Sequence, residues 1–131
     1  METILLIDDD LAFVFWLGRI LDGAGYAAYP AKDVEDARSL VAQCGLPVDL
    51  LIINSATAGL AAFVRDLRMS RPGLEVVVVG GPAFSDAIIG PPAATLAKPE
   101  RLDFNCMEEM RATVESIMLR SKQRARFSHL A

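Results

Sequence analysis

The sequence predicts an α/β domain in which a doubly wound, five-stranded parallel sheet lies between two layers of helices. Three observations carry this expectation. The runs Ile4-Leu5-Leu6-Ile7, Leu50-Leu51-Ile52-Ile53 and Val76-Val77-Val78-Val79 are apolar at every position, as strands covered on both faces are. Stretches of helical period, closed by glycine or Pro-Gly, separate the runs. The length of 131 residues at 53% hydrophobic content holds one sizeable core and leaves no room for two ordinary domains.

Each element has its own signal. After the first apolar run, Asp10 is a candidate N-cap for a helix over residues 11–21, with Val14, Leu17 and Leu21 on one face and Gly23 and Gly25 as its stop. Ala27-Ala28-Tyr29 reads as a second strand ended by Pro30. Residues 33–44 repeat the helical pattern, with Ala37, Leu40 and Val41 inward and Gly45 as the stop. A third helix over 60–70 carries Phe63, Val64 and Leu67 and ends before Pro72-Gly73. Gly80-Gly81-Pro82 and Gly90-Pro91-Pro92 confine any fourth helix to barely two turns, so it is expected to be short or absent. Residues 93–97 form a weak fifth strand. The last helix, over about 102–121, sets Met107, Met110, Val114 and Ile117 in one stripe, which reads as core. A domain over residues 1–121 is thus expected, with residues 122–131 a basic tail, disordered or a frayed helix end.

Bulk properties exclude several functions. A formal charge of -4 argues against a whole-surface nucleic-acid binder, because phosphate affinity comes from clustered Lys and Arg. Arg120, Lys122, Arg124 and Arg126 make a local basic stretch, which suits the C-terminal end of a helix dipole. The two cysteines, Cys44 and Cys106, form no Cys-x-x-Cys pair; they give neither a disulfide framework nor a zinc site and are expected to be buried, reduced thiols. No apolar run approaches a membrane span and no basic leader precedes Asp8, so a cytoplasmic protein without membrane contact is expected.

In a doubly wound sheet, ligand groups gather beyond the carboxyl ends of the strands. Asp8-Asp9, Asn54, Gly80-Gly81 and Lys98-Pro99 all fall there. Adjacent carboxylates suit a hard cation such as Mg²⁺, and an ammonium suits phosphoryl oxygens. This order of motifs, from Ile4-Leu5-Leu6-Ile7-Asp8-Asp9-Asp10 through Gly25-Tyr26 and Asp49-Leu50-Leu51-Ile52-Ile53-Asn54 to Ala97-Lys98-Pro99, resembles a response-regulator receiver domain of two-component signalling. The likeness spans nearly the whole chain and implies a CheY-like, flavodoxin-like three-layer sandwich. It places the acid pair at Asp8 and Asp9, the lysine at Lys98, a Mg²⁺ site at Asp9, Asn54 and Ala56, and the phosphoacceptor aspartate at Asn54.

An Asn cannot be that acceptor. Its nitrogen lone pair is delocalised and its oxygen carries no full charge. The departures continue: the hydroxyl switch residue falls on Gly80, the aromatic switch residue on Thr95, and Met-Pro after the acceptor becomes Thr57-Ala58. A concerted loss of this kind reads as natural degeneration. With one carboxylate fewer, Mg²⁺ binding is expected to be weak or absent, leaving Lys98 as the direct partner of Asp8 and Asp9. The expected product is a stand-alone pseudo-receiver, not an enzyme, that works by contact with a histidine kinase, a phosphotransfer protein or another regulator. Phe13, Phe15 and Trp16 cannot all face the core, so Phe15 or Trp16 is a candidate partner surface or else a cover over the last helix. Dimerisation through the truncated face of the fourth helix, fifth strand and last helix is not expected. The alternatives are a receiver phosphorylated at a neighbour such as Ser55, and a flavodoxin-like module holding a nucleotide or small anion at Gly80-Gly81-Pro82.

Overall fold

The computed structural model describes residues 1–80 and 90–130, the side chains of 125–130 excepted. Strands β1 (Thr3–Ile7), β2 (Ala27–Ala31), β3 (Leu50–Asn54), β4 (Glu75–Val79) and β5 (Ala94–Leu96) alternate with helices α1 (Leu11–Gly23), α2 (Val34–Cys44) and α3 (Leu60–Ser70), and α4 (Phe104–Leu130) follows β5. The sheet is all parallel in the order β2-β1-β3-β4-β5. The expected α/β, doubly wound, five-stranded class is therefore correct.

The twofold alternation of side chains along a strand divides the core in two. Ile4, Leu6, Leu50, Ile52, Val77 and Val79 point to one face, where α1 and α4 cover them with Val14, Leu17, Val114 and Ile117. Leu5, Ile7, Leu51, Ile53, Val76 and Val78 point to the other, beneath Ala37 of α2 and Phe63 and Val64 of α3. Both faces being covered is the reason these strands are apolar at every position. The helix ends also follow the sequence: Asp33 caps α2 by accepting from the Asp36 N–H at 2.8 Å, and Gly45 ends it at φ 60°, a left-handed conformation that favours glycine.

Four expectations need correction. Pro30 does not end β2; it pairs with Leu6 and the strand runs on to Ala31. An edge strand tolerates proline because the missing N–H has no neighbour to meet. The last helix begins at Phe104 and continues to Leu130, beyond the apolar stripe that suggested an end near 121. Its extension is oriented by charge, Lys122 pairing with Glu2 and Arg124 with Glu75 across the amino ends of the sheet. In the stripe, Met118 is buried with Met110, whereas Met107 is only half-buried. The cysteines are free but not buried, Cys44 being exposed at the last residue of α2 and Cys106 half-exposed near the start of α4. The expected short fourth helix and the Gly81-Pro82 part of the anion turn lie outside the described residues. Among the described residues, no helix is long and apolar enough to cross a membrane.

Phe63 is 2% exposed and its ring also lies 5.3 Å from the Arg38 guanidinium carbon. Phe63→Ala is expected to lower unfolding stability by about 3–5 kcal/mol, from lost burial plus the residual cavity, as read by urea denaturation.

Candidate functional site

The site grows out of the carboxyl end of β1. The Asp8 N–H still donates to the Ala31 carbonyl of β2 at 3.1 Å, so the strand ladder fixes the position from which its side chain starts. That side chain is 4% exposed. A carboxylate removed from water needs hydrogen bonds and counter-charge, and three groups supply them. The Asp10 N–H donates to Oδ1 at 2.9 Å, the Asn54 Nδ2 amide donates to Oδ2 at 3.2 Å, and Lys98 Nζ lies 2.9 Å from the same Oδ2.

Asp10 continues the arrangement. Its backbone is extended (φ −80°, ψ 92°), so the alternation of β1 persists past Ile7 and brings Asp8 and Asp10 to the same side. Asp10 Oδ1 accepts from the Phe13 N–H at 3.3 Å as the N-cap of α1, while its Oδ2 lies 3.3 Å from Lys98 Nζ. Lys98 thus pairs with Asp8 and Asp10, not with Asp9 as the sequence suggested. Asp9 falls on the opposite side and is exposed. Beneath the ammonium lies the Phe13 ring, 5.0 Å from Nζ to centroid, in cation–π geometry. The roles of Asp10 and Phe13 here went unread in the sequence, although the i, i+2 alternation of three consecutive acids carried the signal for Asp10.

From β3 and β4 come the remaining parts. Asn54 Oδ1 accepts from the Ala56 N–H at 2.8 Å, which fixes the amide orientation and aims Nδ2 at Asp8. The Ser55 hydroxyl donates to the Gly80 carbonyl at 2.7 Å, and the Gly80 N–H donates to the Leu96 carbonyl at 2.8 Å, so β3, β4 and β5 are tied together at their carboxyl ends. Thr95 is exposed on β5, paired in register with Val78. A cleft of about 410 Å³ opens beside the acids, lined by Asp9, Lys32, Asn54, Ala56 and Thr57 among others; Lys98 does not line it. The residues read as one site therefore divide into a closed cluster around Asp8 and an open cleft around Asp9.

This donor set does not fit the Mg²⁺ that the receiver resemblance implies. Oδ1 of Asp8 is engaged by an N–H, Oδ2 by an amide and an ammonium, and the Asn54 oxygen is turned to Ala56. Of the acids at the end of β1, Asp9 is the one left lining the cleft beside Asn54 and Ala56; the other acid lining it, Asp33, is engaged as the N-cap of α2. Among the described residues, no group of three His, Cys, Asp or Glu side chains is placed to hold a metal ion.

Charge acts on the cluster in both directions. Partial burial pulls the Lys98 ammonium down, but hydrogen bonds and charge from Asp8, then Asp10, outweigh it and hold its pKa above the ordinary 10.5. The Phe13 N–H, and after it Lys98, hold the Asp10 carboxyl below its ordinary 3.8.

No protein-family model matches the chain, and no curated protein matches it significantly. Solved structures do. A CheY-like response regulator receiver domain protein from Methanospirillum hungatei JF-1 superposes with a TM-score of 0.74 at 15% identity, covering 95% of this chain and 98% of that one. A response regulator receiver domain protein from Clostridium thermocellum gives 0.70 at 16% identity, over 94% and 98%. NtrX from Brucella abortus gives 0.78 at 19% identity, over 98% of this chain and 30% of that one. The fold is thus that of CheY-like response-regulator receiver domains, over nearly the whole chain.

Two outcomes test the cluster. Lys98→Met is expected to cost about 2 kcal/mol near neutral pH, less than a fully buried pair because the lysine is 28% exposed, as measured by chemical denaturation. Since the folded-state pKa of Lys98 is raised, its contribution is complete below about pH 10.5 and fades as pH rises through that folded value, so the gap between wild type and variant should close at strongly alkaline pH. At Gly80, φ is 77° and an added Cβ would sit 3.9 Å from Lys98 Cβ. Space is available but the backbone is left-handed, so Gly80→Thr should lower stability by about 1–2 kcal/mol through strain, visible as a lower thermal midpoint.

Proposed function

We propose that this chain is a receiver-like domain of two-component signalling that takes no phosphoryl group at Asn54 and works in the cytoplasm by protein–protein contact, without catalysis. The observation that carries the reading is the Asn54 amide donating to Asp8. Phosphoryl transfer to this position needs an anionic oxygen nucleophile, and the one Asn54 oxygen is a neutral amide carbonyl that accepts from the Ala56 N–H. The elements that would sense a phosphoryl group are missing as well: Gly80 has no hydroxyl and Thr95 no ring. Receiver-like architecture without acceptor or switch favours a domain that presents a fixed surface.

The partner surface proposed lies on α1. Phe15 is 56% exposed and Leu11, one turn earlier on the same face, is 50% exposed, whereas Phe13 is buried and Trp16 is half-buried against the core. An apolar pair of this kind suits a protein partner such as a histidine kinase, a phosphotransfer protein or another regulator. Ser55 offers no substitute nucleophile, because its hydroxyl proton is given to the Gly80 carbonyl and no base stands beside it among the described residues.

Incubation with acetyl phosphate and Mg²⁺, followed by intact mass measurement, should leave the protein at its original mass. A phosphoryl adduct, whether labile or acid-stable, would refute the reading.

A further inference from the structure

We infer that Asn54 and Lys98 together take the place of a bound cation, making the Asp8 cluster a metal-independent lock that excludes Mg²⁺ and is coupled to Trp16. The inference extends the reading of this pocket as non-phosphorylatable, and the two fail separately: modification is read by mass, cation exclusion by spectra.

The lock follows from how Asp8 is neutralised. A divalent ion at the end of β1 would have to compete for carboxylate oxygens that already hold an ammonium at 2.9 Å, an amide at 3.2 Å and a backbone N–H at 2.9 Å. Displacing Lys98 would also strip Asp10 of its ion pair and lift the ammonium from the Phe13 ring. Asn54 contributes in a second way. Its Nδ2 presents partial positive charge where a metal would need negative charge, and its amide is held in that orientation by Ala56. A carboxylate at position 54 would reverse the sign of this contact and set two like charges against each other, a repulsion that a bound divalent cation would relieve.

The same chain of contacts reaches an optical probe. Phe13 lies between Lys98 and Trp16, with ring centroids of Phe13 and Trp16 6.1 Å apart at 33°. Trp16 is the single tryptophan in the chain, so its emission reports on the environment next to the lock.

The experiment is a Mg²⁺ titration of the full chain at constant ionic strength, following Trp16 emission, backbone amide NMR shifts and the thermal midpoint. Wild type should show no saturable change into the millimolar range, and the same midpoint in Mg²⁺ as in chelator. Asn54→Asp should bind Mg²⁺ at least about tenfold more tightly than wild type, with a midpoint lowered in chelator and recovered by Mg²⁺. Should Asn54→Asp fail to fold in chelator, Lys98→Met supplies the second arm: it takes the ammonium from Asp8 Oδ2, leaving the Asn54 amide there, changes Trp16 emission, and should gain a Mg²⁺-dependent rise in midpoint. Saturable shifts at Asp8, Asp9 and Asn54 in wild type would overturn the inference. So would the absence of any Mg²⁺ response in both variants, or unchanged Trp16 emission in Lys98→Met.

Discussion

The burial of one carboxylate sets the terms for the rest of the site. Asp8 continues a strand whose five residues are all buried, its N–H still pairs with the Ala31 carbonyl, and the residue is itself buried. An ionised acid at such a place is stable only when hydrogen bonds and an opposite charge replace hydration. Lys98, Asn54 and the Asp10 N–H meet that requirement from three directions, and each is delivered by a different part of the chain. The geometry of α1 follows from it, because Asp10 serves both the helix cap and the ammonium.

The sheet makes the convergence possible. Four parallel pairings place the ends of β1, β3 and β4 beside one another, with Lys98 following the end of β5, and the Ser55-Gly80-Leu96 ties hold three of those ends in register. Parallel strands need covering helices, and the two core clusters provide them, α1 and α4 on one face and α2 and α3 on the other. At the opposite, amino end of the sheet, Glu2 with Lys122 and Glu75 with Arg124 tie the extended α4 to β4 and to the residue preceding β1. These pairs are exposed on the basic side, so they orient the helix more than they stabilise it.

Legibility in the sequence varied with how local the governing physics was. The helix cap at Asp10 and the stop at Gly45 were readable because each depends on a few adjacent residues, and Asp33, read as the first residue of the second helix, is its cap. Pro30 was misread because its tolerance depends on β2 lying at a sheet edge, which adjacent residues do not reveal. The exposure of Cys44 was missed for a similar reason, since the side of α2 that meets the sheet is decided by packing. Within the site, Asp8, Asn54 and Lys98 were all recognised, yet Asp9 was given the role that Asp10 holds.

By itself the sequence determined the order of strands and helices, their covered faces and the presence of an amide where the receiver resemblance expects an acid. Periodicity, capping and side-chain chemistry are properties of residue type and spacing, and need no third dimension. Only the tertiary structure decided which acid Lys98 neutralises, that the Asn54 amide faces Asp8, and that the pocket divides into a closed cluster and an open cleft. Those outcomes turn on distances between groups 46 to 90 positions apart in the chain, and over such separations Coulomb and hydrogen-bond energies are fixed by the packed sheet alone.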